Sequence, residues 1–149
     1  MKNILFLVVF FFGISGYSQN QEIQKTIEDF FVAFHAKDTV KLKSICSDKI
    51  ILQSIMENAK GAKLSNESAT EFFNSIASIP SDFKFEEKIL NYSIQVDGTM
   101  AHVWTPYEFY INDKFSHSGV NAFTLFKENG SEALGWKIIY VIDTRRKSL

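Results

Sequence analysis

His117 and Asn121 fall in FSHSGVNAFTLFK, a stretch whose alternation reads as a β-strand, so both side chains leave one face together with Gly119, Phe123 and Leu125. A histidine that titrates near neutral pH, beside an amide on an apolar wall, can bind or protonate a carbonyl group. Ser118 points to the opposite face, which makes a serine–histidine nucleophile pair geometrically poor. The structural alternative for His117 is a buried ring held by a backbone carbonyl or a carboxylate. Gly119 reads as a bulge that bends the strand.

A second group lies in VIDTRRK, where Asp143 and Arg145 share parity behind Lys137, Ile139 and Val141. Side chains two apart on a strand can pair, and an arginine fork at a rim can hold a carboxylate ligand; a salt bridge that fixes the chain end is the alternative. Asp143 and Glu108 are the acids that could orient His117, with a solvated charge as the plainer role for Glu108. Trp104, Tyr107 and Tyr110 add aromatic surface, and Trp104 suits a cavity wall or a dimer contact equally. His102 alternates with Met100 and Trp104, against Ala101, Val103, Tyr107 and Phe109, so it belongs to the outer face; Pro106 is a candidate point for a one-residue register shift. His35, His102 and His117 have no zinc-ligand spacing, and no phosphate loop, dinucleotide fingerprint or GxSxG elbow is present, so no metal or cofactor is implied.

Elements that could carry these residues follow from periodicity. Ile23, Ile27, Phe30, Phe31 and Phe34 form one stripe of an amphipathic helix over 20–37, with His35 one position off it and expected to be solvated or near the cap. Asp38-Thr39 signals the cap of a short second helix, and Cys46 within its apolar run reads as a small buried core residue. Residues 49–56 are β-rich, 57–67 read as a polar loop, and Ser68-Ala-Thr-Glu71 is a capping box that starts a third helix closed by Pro80. From there the period is two, giving strands over 84–96, 99–111, 114–127 and 136–144, with tight turns at Asp97-Gly98 and Asn112-Asp113 and a longer connection over 129–135. Helices followed by antiparallel strands make an α+β plan, with helices covering one face of a curved sheet.

The first eighteen residues stand apart from that plan: Lys2, an apolar run from Ile4 to Phe12 and a small-residue ending read as a secretory signal peptide cleaved after Ser18. That leaves residues 19–149 as one domain, exported to the periplasm or secreted, with no membrane association after cleavage. A net charge of −1 gives no electrostatic case for nucleic acid, and a single cysteine cannot form an intrachain disulfide.

The order helix–helix–strand–helix–four long strands, with FFVAFHAKDTVKLKSI, VWTPYEFYINDKFSHSGVNAFTLFK and GWKIIYVIDTRR inside it, resembles the nuclear-transport-factor-2-like superfamily, also called the polyketide-cyclase-like or cystatin-like α+β cone. The resemblance covers nearly all of residues 19–149. It implies a strongly bent antiparallel sheet around a conical cavity plugged by the long first helix, and a homodimer formed through the sheet. It implies no single chemistry, because dehydratases, ketosteroid isomerases, epoxide hydrolases, cyclases and transport adaptors share the fold. The acidic base and acid-type oxyanion donors of ketosteroid isomerase have no residue-by-residue match here. Epoxide hydrolases bridge two carboxylates with an arginine, and Asp143 and Arg145 are the only such neighbours on a strand.

The expectation is therefore an exported cone protein that binds a small, largely apolar molecule with a carbonyl or carboxylate, lined by His117, Asn121, Tyr107, Trp104 and Arg145. One alternative is an enzyme of the dehydratase, isomerase or cyclase type using His117 with Asp143 or Glu108. The other is a dimeric interaction module without a ligand.

Overall fold

Ile23 and Ile27 are fully buried, and Phe30 and Phe31 are nearly so, on one face of α1 (Phe12–His35), as the helical spacing requires. The computed structural model describes residues 12–128 and 135–147. Residues 1–11 of the expected signal peptide and 129–134 of the expected connection lie outside them; α1 begins at Phe12, earlier than its periodicity predicted. No helix among the described residues is long and apolar enough to cross a membrane. The helix ends where Lys37 takes a left-handed φ of 58°, with Lys37 N–H donating to Phe34 O and Asp38 N–H to Ala33 O. Those two bonds satisfy end carbonyls in a Schellman arrangement. Asp38 then caps α2 (Thr39–Ile45) by accepting from Lys41 N–H. The capping box of α3 (Ala69–Ser78) forms as predicted: Glu71 N–H donates to Ser68 Oγ and Ser68 N–H to Glu71 Oε2.

Seven strands follow one another across a curved, mostly antiparallel sheet in the order β2-β1-β7-β6-β5-β3, with β4 also on β5; β1 and β7 run parallel. They are β1 (Cys46–Asn58), β2 (Gly61–Glu67), β3 (Phe85–Ile89), β4 (Ser93–Asp97), β5 (Met100–Ile111), β6 (Lys114–Lys127) and β7 (Trp136–Arg146). Cys46 is buried, and burial pushes its thiol up to about 12, so it is a core residue.

Four sequence expectations need correction. The 57–67 loop is in part a strand: β2 pairs with β1 from Leu52↔Glu67 to Asn58↔Gly61. All of its side chains are exposed, so no hydrophobic alternation announces it. The single strand over 84–96 is two, because β3 pairs with β5 as far as Tyr107 and β4 as far as Trp104, leaving a gap at Thr105-Pro106. Pro106 has no N–H for that ladder; its carbonyl still accepts from Leu90 N–H. The β5–β6 register then runs straight through Pro106↔Val120, and the irregularity falls between Phe109 and Tyr110. Finally, Gly119 is no bulge: a Cβ there would sit 1.7 Å from Thr144 O and 2.8 Å from Tyr107 Cε1. Its missing side chain lets β7 and the Tyr107 ring close against β6.

A real bulge lies in β7, where Thr124↔Tyr140 is followed by Leu125↔Ile138 and Ile139 is left over. It changes the inward parity. Trp136 and Ile138 are buried on one side of it, and Val141, Asp143 and Arg145 face the cavity on the other.

Candidate functional site

Between α1, α3 and the concave face of the sheet is a cavity of about 530 Å³. Its apolar half is mostly aromatic, with Leu52, Met56 and Val141 beside the rings. Phe30, Phe31 and Phe34 reach it from α1, where positions three and four apart share a face, Phe72 from α3 and Phe123 from β6. The rings hold one another in place: Phe30 meets Phe123 edge-on at 5.8 Å and stacks on Phe72 at 6.5 Å, and Phe31 meets Phe123 at 5.9 Å.

The buried polar end comes from three strands, and Gln53, Ser54, Ser65, Asn66, Glu67 and Glu71 add polar lining from β1, β2 and α3. Asn121, buried at 5 % exposure on β6, donates its amide N–H to Glu87 Oε1 on β3 at 2.6 Å. Across β6, Arg145 Nε donates to Asp143 Oδ2 at 2.7 Å. The Tyr107 hydroxyl, from β5 beneath Gly119, donates to Thr144 O at 2.9 Å and lies 3.4 Å from Asp143 Oδ2. One O–H satisfies one acceptor well, so the carbonyl is its main partner and the tyrosine serves to fasten β7. Glu87, Asn121, Asp143 and Arg145 all line the cavity.

The electrostatics follow from burial and these neighbours. Burial raises the Glu87 carboxyl from its ordinary 4.5 to about 7, helped by Asp143 and opposed by Asn121 and Arg145. Burial also works against the Arg145 charge, but Asp143, Tyr107 and Glu87 outweigh it and hold that pKa above its usual value. Tyr107 is raised by burial first and by Asp143 and Glu87 next, so it remains a phenol.

The sequence candidates divide. Asn121, Asp143 and Arg145 share the cavity, and Tyr107 supports it from beneath. His117 is absent from the lining; it stacks on Phe109 at 4.9 Å, meets Tyr107 edge-on at 5.9 Å and contacts Ser116 Oγ through Nδ1. Burial and Arg145 lower its pKa, with Asp143 opposing. Trp104 stands outside the cavity at 48 % exposure, because its parity on β5 is opposite to that of Val103 and Thr105. Glu108 shares that parity, pairing with Ser118 on the face opposite to His117, and accepts from the Tyr110 hydroxyl at 2.7 Å.

Two contributors were missed. Glu87 lies between Phe85 and Ile89 in FKFEEKIL, and a carboxylate at the inward parity of an apolar edge strand was the signal that could have found it. His35 is not a solvated histidine: its Nε2 accepts from Glu87 N–H at 2.9 Å, which requires a neutral ring with the proton on Nδ1. Burial lowers its pKa against the pull of Glu86, in keeping with that neutral form. The end of α1 thus fixes the strand that carries Glu87. Among the described residues, no group of three His, Cys, Asp or Glu side chains converges as a metal site.

Solved structures share this architecture at low identity. An NTF2-like protein of unknown function from Shewanella baltica is 15% identical over 89% of this chain and 97% of its own, with a TM-score of 0.62. A protein of unknown function with a cystatin-like fold from Nostoc punctiforme is 16% identical over 87% and 92%, with a TM-score of 0.65. A candidate dehydratase from the NTF2-like family, from Streptomyces avermitilis, is 12% identical over 89% and 99%, with a TM-score of 0.67. No family model and no curated protein sequence matches the chain.

Proposed function

From a chain that folds as a nuclear-transport-factor-2-like α+β cone, we propose a protein that binds a small, largely apolar molecule in the cone cavity, its polar head against Glu87, Asn121, Asp143 and Arg145. The observation that carries this reading is the open space of about 530 Å³ between a phenylalanine wall and a hydrogen-bonded polar end, a size and composition suited to a small ligand. A carbonyl head would take hydrogen bonds from Arg145 and from protonated Glu87. A carboxylate head would have to share Arg145 with Asp143. Incubating the purified protein with a panel of small aromatic and aliphatic molecules and following thermal stabilisation tests the reading; stabilisation by none of them counts against it.

Glu87 favours a second reading, proton transfer on the bound molecule as in a dehydratase or isomerase. Its Oε2 has no hydrogen-bond partner among the described residues, and a carboxyl poised near 7 exchanges a proton readily. In that enzyme Glu87 takes the role assigned from sequence to His117, and Asp143 and Arg145 set its charge. Turnover of any panel member with a kcat that Glu87→Gln abolishes even at saturating concentration would establish it. Export rests on the leader-like residues 1–18. A homodimer through the sheet is supported by the exposed Met100, Trp104, Phe115 and Phe126, and sedimentation of the protein with and without Trp104→Glu tests it.

A further inference from the structure

The charges around the cavity are unequal. Glu67 and Glu71 at its exposed rim join Glu87 and Asp143, against Arg145 alone, whose Nε is already committed to Asp143. Among the described residues the Glu67 carboxylate accepts only from Ser75 and the Glu71 carboxylate only from Ser68, and neither is paired with a cation there. An excess of carboxylates in a recess with low-dielectric walls draws in cations and turns away anions.

The free atoms on Glu87, Asn121 and Asp143 have the same sense, and the free donors at this end are the Arg145 Nη groups, on a side chain that is half exposed. Glu87 Oε2, Asn121 Oδ1 and Asp143 Oδ1 have no hydrogen-bond partner among the described residues, and all three are acceptors. The Asn121 amide is oriented by its donation to Glu87, which turns its oxygen the other way. An ammonium group carries three donors and no acceptor, and so complements this set. The opposite wall also suits a cation, since Phe30, Phe31, Phe34, Phe72 and Phe123 line it with aromatic rings.

We infer that the cavity selects a hydrophobic primary amine, its ammonium group between Glu87, Asn121 and Asp143 and its apolar body among the phenylalanines. This rests on the reading of the cavity as a binding site, and it replaces the carbonyl or carboxylate head anticipated from the sequence with an ammonium head. Charged and titratable groups facing Glu87 are Asp143 and Arg145 of β7, Tyr107 of β5 and His35 of α1. An ammonium ion favours ionised Glu87, so amine affinity rises as pH is raised through neutrality.

Three probes of one shape, phenethylamine, phenethyl alcohol and phenylacetate, separate the inference from the reading beneath it. Calorimetric titration at mildly alkaline pH is expected to give the amine about tenfold tighter binding than the alcohol, the worth of one charge-assisted hydrogen bond, with phenylacetate weakest. Glu87→Gln should lower the ratio of amine to alcohol affinity from about ten toward one. Equal binding of amine and alcohol, or tightest binding of phenylacetate, overturns the amine assignment while the cavity stays a binding site. Binding of none of the three removes both. Because the ranking is measured on the unaltered protein, it stands whether or not the variant folds.

Discussion

The two halves of the cavity are built by different rules. The apolar half takes three of its rings from one turn of α1, and the rest pack onto them; removing one ring leaves the others a helix to stand on. The polar half draws Glu87, Asn121 and Asp143–Arg145 from three strands whose spacing depends on close backbone contact at Gly119 and on Tyr107 tying β5 to β7. Local periodicity makes a tolerant wall. Non-local register makes a precise but brittle one.

If so, one carbon added to the polar half costs more than a whole ring removed from the apolar half. Gly119→Ala places its methyl against Thr144 O and should cost more than about 4 kcal/mol, in the range reserved for severe steric faults. Phe30→Ala should cost about 3 kcal/mol, toward the low end for phenylalanine because the ring already borders open space. Urea denaturation of the two variants decides the matter, and a smaller loss for Gly119→Ala than for Phe30→Ala would break the comparison.

The smallest effect has the opposite sign. Glu87 has its folded pKa raised from 4.5 to about 7, so its ionisation costs stability that is intact below about pH 4.5 and lost as pH rises through 7. The neutral Glu87→Gln keeps an oxygen for the Asn121 amide and should stabilise the protein by about 2 kcal/mol above that range, allowing for solvent that reaches the cavity. The gain should vanish in acid. His35 and His117, whose pKa values are lowered, instead cost stability as pH falls below the ordinary histidine range, in both proteins alike. A gain that persists at low pH would mean that packing, not charge, separates glutamate from glutamine here.

Legibility in the sequence follows the same division. The stripe Ile23, Ile27, Phe30, Phe31 and the Ser68–Glu71 box are local patterns, and the structure reproduces them, as it does strand 114–127 to the residue. Asp143 and Arg145 could be paired because they are two apart on one strand. Glu87 could not be joined to Asn121, since that required knowing that 84–96 splits opposite Pro106 of β5 and that β3 and β6 both flank β5. His35 was missed because its partner is a backbone N–H far along the chain, and His117 was overvalued because facing inward on a strand does not put a side chain in the part of the interior left open. β2 gave no signal because none of its side chains is buried.

Everything claimed for the polar end turns on Glu87 being withdrawn from water yet facing the cavity. A carbon-detected NMR titration of the Glu87 side-chain carboxyl, assigned by its loss in Glu87→Gln, reads this directly. The account predicts a midpoint near 7, moving downward when phenethylamine is bound. A midpoint at the ordinary glutamate value, unmoved by the amine, would contradict it.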